Sequence, residues 1–401
     1  MKFSSKIEKC TQSPMRKFHP FAVEAEKRGI RIYHLNIGQP DVKTPPQFFE
    51  AVKNFSQPVL EYAPSPGLPV LIEAIRGYYD KLGVSLEPGN IYITTGGSEA
   101  LAITLQCILD NGDEIIIPEP FYPNYNTMTN TTGGVVHPIP TDVHHGYRYA
   151  DKDLIEAQIN EKTRAIMVTT PGNPTGVVLS RDEMEMIVDI AVKHDLFLIC
   201  DEAYREYFFE GDRLQTFGEF IDKAPENIII TDTVSKRFSA CGARIGCLIS
   251  KNKEFMAHAL KYCQARLSVA TLDQIASAAL YDVGPEYFAE VRAEYKKRRD
   301  TLCRKLREIP GIVFDVPGGA FYLMAALPVD DAEAFQKWLL TEFDDNGETV
   351  MFAPGGPMYA AHGKGKNEVR IAYVLECDKI EKAIDILKKA IEVYNMSKTN
   401  K

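Results

Sequence analysis

Lys236 follows two hydroxyl residues, Thr233 and Ser235, at the end of the apolar run Ile228-Ile229-Ile230, and Arg244 stands eight positions after it. An amine that forms a Schiff base is activated by nearby positive charge, and a phosphorylated carbonyl compound needs hydroxyls and a guanidinium for its anion. The same residues also fit a strand-to-loop turn with solvated Lys and Arg, because basic residues are mostly exposed. Segments upstream weigh between these readings.

Thr94-Thr95-Gly96-Gly97-Ser98-Glu99-Ala100 follows the strand-like Ile91-Tyr92-Ile93 and opens an apolar-periodic stretch from Leu101 to Leu109. Glycines at a strand-to-helix junction free backbone N–H groups for a phosphate at the helix N-terminus. A plain tight turn uses the same residues. Pro171-Gly172-Asn173-Pro174-Thr175-Gly176 follows the strand Ala165 to Thr169 and reads as a turn. Asn173 is also able to donate an amide hydrogen bond to a ring oxygen. Leu196-Phe197-Leu198-Ile199-Cys200 reads as a buried parallel strand ending in Asp201. Ligands of doubly wound sheets sit beyond the carboxyl ends of their strands, so Asp201 lies where a ligand would be; the alternative is a helix N-cap.

Together these segments resemble the fold-type I, pyridoxal-phosphate-dependent aminotransferases of class I and II, over nearly the whole chain. The resemblance implies that Lys236 is the Schiff-base lysine and Asp201 the partner of the pyridine nitrogen. It implies that Asn173 and Tyr204 hold the ring hydroxyl oxygen, and that Gly97, Ser98, Thr233, Ser235 and Arg244 form the phosphate cup. The family's motif usually has Ser or Gly where Thr233 stands, and threonine keeps the hydroxyl. Tyr122, in Glu119-Pro120-Phe121-Tyr122-Pro123, matches the aromatic that stacks on the pyridine ring. Tyr62, in Tyr62-Ala63-Pro64-Ser65-Pro66-Gly67, matches a tyrosine that reaches the phosphate of the other subunit, which implies a homodimer with shared sites. Arg370, in Val369-Arg370-Ile371-Ala372, matches the arginine that clamps the substrate α-carboxylate. Gly38, in Ile37-Gly38-Gln39-Pro40-Asp41, matches a glycine of an N-terminal segment beside the substrate.

These residue types suit the chemistry. Pyridoxal 5'-phosphate is the electron sink, and the protein supplies orientation and electrostatics. A carboxylate at Asp201 keeps the pyridine nitrogen protonated, and Arg244 with a helix terminus after Gly97 neutralises the phosphate. The expected reaction is ping-pong transamination between an L-amino acid and a 2-oxo acid. A carbon–sulfur lyase would share every cofactor residue, and an aminotransferase for aromatic or apolar amino acids would share nearly all. A regulatory sensor of the cofactor needs a DNA-binding module, for which there is no length before Gly38.

Composition agrees with a large enzyme. The chain has 401 residues, 45% of them hydrophobic, which suffices for more than one domain. A net charge of -9 with mixed signs argues against nucleic acid as a partner. Met1 to Pro20 has no apolar h-region, and no run approaches the roughly 18 apolar residues of a membrane helix. The eight cysteines are scattered without a C-x-x-C pair and read as free thiols in a cytoplasmic protein, with no metal site. Cys241, inside the lysine loop, reads as a small buried residue.

The elements that must position these residues alternate as strands and helices. Strands read at 91–95, 114–117, 135–138, 165–169, 196–200 and 227–231, with 247–250 as a seventh. Ser180 and Glu183 form a capping-box pattern ahead of Met184, Ile187, Val188 and Ala191. The expectation is an α/β protein: a large cofactor-binding domain over residues 46–290, built on a mostly parallel seven-stranded sheet. A long helix over 285–309 would lead out of that domain, and a smaller α+β domain would come from 1–45 and 291–401, with strands at 321–325, 349–352 and 369–372 and helices at 332–343 and 379–394. The site would lie between the two.

Aspartate or glutamate as donor needs a second cation for the distal carboxylate. Some aspartate-specific members of the family carry a lysine where Ser98 stands here. Arg266, in Gln264-Ala265-Arg266-Leu267-Ser268, is the first candidate for that cation; Arg16, Lys17 and Arg205 are others. Each of the four also fits a surface or structural charge. The expected substrates are aspartate or glutamate with 2-oxoglutarate.

Overall fold

A computed structural model of the chain describes residues 1–10, 16–211 and 214–399. The alternating apolar runs form β1 (Ile91–Thr95), β2 (Glu114–Pro118), β3 (Val135–Ile139), β4 (Thr163–Thr169), β5 (Phe197–Asp201), β6 (Ile228–Thr233) and β7 (Ile245–Ile249). They make one seven-stranded sheet in the order β1-β7-β6-β5-β4-β2-β3. Strands β2 to β6 run parallel to their neighbours within that group. Strand β7 runs antiparallel to both β6 and β1. Only residues 234–244 join β6 to β7, short of the dozen or more that a parallel crossover requires, so the chain turns back. All five residues of β7 and all six of β6 are buried, as expected of central strands covered on both faces.

Helices α1 (Gly96–Ile108) and α2 (Arg181–Lys193) belong to this helix-covered sheet. The capping box is present on α2: Glu183 N–H donates to Ser180 Oγ at 3.3 Å, and Ser180 N–H to Glu183 Oε2 at 2.7 Å. Such a cap contributes about 1 kcal/mol.

A second body carries a four-stranded antiparallel sheet in the order Ala353–Pro354, Glu368–Ala372, Tyr322–Ala326, Val313–Phe314. Helices α3 (Pro285–Leu306) and α4 (Cys377–Thr399) and the helix Ala332–Thr341 accompany it. Leu323, Phe335, Ile371 and Leu387 are completely buried in its core, a cluster separate from that of the large sheet. The strand Arg31–His34 pairs in parallel with Glu348–Met351, which ties the N-terminal segment to the C-terminal part. That strand is not visible in the sequence pattern, because only Tyr33 of its four residues is buried. Helices Pro46–Lys53 and Pro69–Asp80 are likewise additions to the sequence reading.

The carboxyl ends of β5 and β6 are joined by buried charges. Asp232 Oδ2 accepts from Arg205 Nη2 at 2.8 Å and from Arg237 Nη2 at 2.6 Å, and Arg205 also pairs with Glu202. Burial alone would raise the Asp232 pKa, but Arg237 and Arg205 outweigh it and hold the carboxyl below its ordinary value. Arg205 is thereby committed to the interior, with a side-chain exposure of 0%, and is no candidate for a substrate contact. Removing one member leaves a buried charge unpaired, so Asp232→Asn is expected to lower unfolding free energy by about 3–5 kcal/mol, measured by urea denaturation.

Candidate active site

The loops at the carboxyl ends of β4, β5 and β6, the start of α1 and the segment around Gly38 enclose a cavity of about 530 Å³. That volume suits a small-molecule site. Its deepest acid is Asp201, the last residue of β5. Asp201 Oδ2 accepts from Tyr125 Oη at 2.6 Å, and Oδ1 accepts from Ala203 N–H at 3.1 Å. Turn residues follow Asp201, so it caps no helix. Burial pushes its pKa up to about 6, against the lowering effect of the Tyr125 and Ala203 hydrogen bonds.

Lys236 lies in the short helix Val234–Arg237 directly after β6. Its Nζ donates to the Gly38 carbonyl at 2.8 Å and lies 3.7 Å from Cys241 Sγ. A Cβ on Gly38 would stand 1.9 Å from the Tyr322 hydroxyl, so the close approach admits only glycine. Thr233 caps the lysine helix, its Oγ1 accepting from Ser235 N–H at 3.1 Å and donating to the Ile245 carbonyl at 2.9 Å.

Across from these hydroxyls, Gly96 opens α1 at a φ of +73°, in the left-handed region that glycine tolerates. A Cβ there would meet Arg244 Nη2 at 2.4 Å. Arg244 itself has a φ of +53°, a left-handed conformation uncommon for a residue other than glycine and found at functional sites. Gly97 and Ser98 in the first turn of α1 line the same part of the cavity.

The opposite wall is a polar chain. Arg370 Nη1 donates to Asn173 Oδ1 at 3.0 Å and Nη2 to the Asn36 carbonyl at 2.9 Å, while its Nε is buried without a partner. Asn173 Nδ2 donates to Tyr204 Oη at 3.3 Å, and Tyr204 and Tyr322 share a hydrogen bond of 3.0 Å. Burial raises Tyr204 well above the ordinary tyrosine value, with Tyr322 reinforcing the shift. Tyr122 forms a further wall, with its ring 5.5 Å from that of Tyr125 at 88°.

Twelve of the fourteen site residues expected from sequence thus line one cavity; Tyr62 and Arg266 do not. Tyr62 is 82% exposed. Arg266 pairs with Glu99 at 3.5 Å and donates to the Ile93 carbonyl at 3.1 Å within its own chain. Nη2 ties Arg266 to the end of β1 and Glu99 ties it to α1, while Nε and Nη1 make no hydrogen bond, and Arg266 does not line this chain's cavity. Cys241 corrects another expectation: it is partly exposed on the cavity rather than buried. Tyr125, Tyr322 and Asn36 were missed. Tyr125 stands three residues after Tyr122, a spacing that places two side chains side by side on a helical turn. Tyr322 and Asn36 carry no local signal.

The sequence model of the family described as aminotransferase class I and II matches residues 30–387. The chain belongs to that family. It is 30% identical to an aspartate aminotransferase of Pyrococcus horikoshii, over 90% of this chain and 91% of the relative. It is equally 30% identical to aromatic-amino-acid aminotransferase 2 of Thermococcus litoralis, over 98% and 99%. A solved structure of Thermus thermophilus aspartate aminotransferase with maleate superposes with a TM-score of 0.88 at 27% identity, covering 97% of this chain and all of that one. The protein is a pyridoxal-phosphate-dependent aminotransferase. Among the described residues no His, Cys, Asp and Glu cluster could hold a metal, and no helix is long and apolar enough to cross a membrane.

The residues present fit pyridoxal 5'-phosphate. The Gly96–Ser98 turn, Thr233, Ser235 and Arg244 form a cradle of anion donors, and Asp201 offers a buried carboxylate to a cationic ring nitrogen. The orphaned Nε of Arg370 offers a donor to a carboxylate.

The raised Asp201 pKa has a sign that can be measured in the cofactor-free protein. A carboxyl with a folded pKa of about 6 and an unfolded value of 3.8 binds its proton more tightly when folded. Its effect on stability is therefore absent below about pH 4 and unfavourable above 6, by up to roughly 3 kcal/mol. Asp201→Asn is expected to match wild type near pH 4 and to exceed it at pH 7.5 in urea titrations. A variant that instead loses ground as pH rises would sink this account.

Proposed function

We propose that the aminotransferase exchanges the amino group of aspartate or glutamate with 2-oxoglutarate or a related 2-oxo acid by a ping-pong route, in the cytoplasm. The observation that carries this reading is the meeting of Lys236, Asp201, Arg244 and Arg370 in one cavity. The names of similar proteins favour an acidic donor, and the maleate bound to the Thermus relative is itself a dicarboxylate.

Pyridoxal phosphate, when bound, supplies the electron sink for the breaking Cα–H bond. Arg244, Thr233, Ser235 and the N–H groups of Gly97 and Ser98 would hold its phosphate, and Tyr122 its ring face. Asn173 and Tyr204 would fix the ring hydroxyl oxygen, and Asp201 would keep the ring nitrogen protonated. Arg370, oriented by Asn173 and Asn36, binds the α-carboxylate and so aims the substrate Cα at Lys236. Lys236 Nζ takes the Cα proton as a general base and returns a proton as a general acid. Its hydrogen bond to the Gly38 carbonyl holds the amine ready between these tasks.

Tyr62 completes the proposal as a contribution to a neighbour's phosphate in a two-fold dimer. Val59, Leu60 and Tyr62 are 60%, 61% and 82% exposed, an apolar strip suited to burial against a second copy.

Two outcomes test the proposal. Glutamate added to the pure enzyme should convert its visible-edge cofactor absorbance to that of pyridoxamine phosphate and release one 2-oxoglutarate per site, whereas Lys236→Ala should bind the cofactor and show no conversion. A preference for phenylalanine or alanine over both acidic donors would overturn the substrate and leave the reaction class standing. Tyr62→Ala should weaken cofactor affinity with the dimer intact in sedimentation, and a fully active monomer is the result that excludes shared sites.

A further inference from the structure

The cavity lining contains four cations and one carboxylate, Asp201. Three of the cations have tasks in the reaction proposed above: Lys236 the proton, Arg244 the phosphate, Arg370 the α-carboxylate. The fourth is Arg16, which lines the same cavity as Ile37, Gly38 and Tyr122. Among the described residues Arg16 is exposed and makes no ion pair, whereas Lys17 next to it is bound to Glu333 at 2.5 Å. Phe18, the following residue, is 3% exposed in a cluster with Ala22, Leu340 and Met351. The segment is therefore pinned one residue and two residues beyond Arg16. That pinning, on the same body that carries Arg370, fixes where the Arg16 backbone leaves its guanidinium.

We infer that Arg16 is the specificity-determining residue that binds the distal carboxylate of a dicarboxylic substrate. The inference rests on the dicarboxylate reading and deepens it. A guanidinium presents a planar fork that matches a carboxylate in two hydrogen bonds, and it carries its charge at every working pH. A substrate with a second carboxylate brings to the cavity a charge that must be paired as water leaves. Once Arg370 is engaged with the α-carboxylate, Arg16 is the remaining lining cation able to pair it. The competing assignments fail on geometry. Arg266 is held by Glu99, Arg205 lies buried between Glu202 and Asp232, and Lys17 is held by Glu333. Ser98, standing where some relatives of this family carry a lysine, offers no charge, so the compensating cation comes from the N-terminal segment instead. An apolar or aromatic donor would leave the exposed Arg16 in water, at little cost.

The test compares succinate with butyrate, which differ by the distal carboxylate, as non-reacting ligands of the holoenzyme in calorimetric titrations. Aspartate and phenylalanine serve as donors in parallel. Arg16→Gln is expected to weaken succinate by about ten-fold or more and butyrate by less than about two-fold, the range for loss of a charged hydrogen bond. kcat/KM should fall for aspartate and hold for phenylalanine, and Arg16→Lys should recover part of both losses. Arg266→Gln should leave the succinate-to-butyrate ratio at the wild-type value. Equal loss for both ligands in Arg16→Gln, or a ratio that moves with Arg266 and not with Arg16, overturns the inference. A wild-type enzyme that binds succinate no better than butyrate would show instead that the dicarboxylate reading itself is wrong.

Discussion

Asp232, clasped by Arg205 and Arg237 with under 3% of any of these side chains exposed, is the interaction on which the site's geometry depends. Arg237 follows Lys236 directly, and Asp232 precedes Thr233, so one carboxylate fixes both ends of the lysine turn. Arg205 carries the constraint across to β5, where Glu202 adjoins Asp201. Lys236 and Asp201 are therefore both tied to a single ionic knot at the carboxyl ends of β5 and β6. Such a knot adds little net stability over an apolar core, because desolvating its charges costs nearly what their attraction returns. Its value is positional: any arrangement that separates the strand ends strands a charge in the interior.

Polarity is divided across the cavity in a way that follows from its two bodies. The large sheet supplies Asp201, Lys236, Thr233, Ser235 and Arg244, all at strand ends or the turns after them. The other body supplies Arg370, Tyr322 and the Gly38 segment, and Arg370 reaches across to Asn173. Groups expected to hold the cofactor thus come from one rigid layer, and those expected to read the substrate come mainly from the layer opposite. Variation in the second layer can alter donor choice without disturbing the first, which is consistent with similar proteins named for aspartate and for aromatic amino acids.

The large sheet was legible because its strands are apolar runs bounded by turn residues, and each run was found within two residues of its observed ends. The reversed direction of β7 was not, since an apolar run reads the same in either sense; the shortness of the lysine turn holds that information. Arg31–His34 was hidden by charges on both sides of its one buried tyrosine. At the site, residues carried by ordered motifs were found, while Tyr322 and Asn36 emerged only from tertiary contact. Arg16, Lys17, Arg205 and Arg266 could not be ranked in sequence, because a basic residue's role depends on which carboxylate lies nearby, and three of the four had already met theirs. Cys241 was misjudged for a similar reason: a small apolar side chain signals burial, but the turn that carries it faces the cavity.

The position of β1 has a consequence for biogenesis. Among the described residues its sole sheet partner is β7, so Gly96 and Ser98 wait at a loose edge until residues 245–249 have been threaded between β1 and β6. In that junction any side chain on Gly246 would strike the backbone of Gly96 and Gly97, the residues that open α1. A nascent chain cannot present the cradle early, and vitamin-derived cofactor has nothing to grip until the most distant pairing in the sheet is complete. A cofactor that binds only the finished cradle would therefore stabilise only molecules whose last central strand is in place.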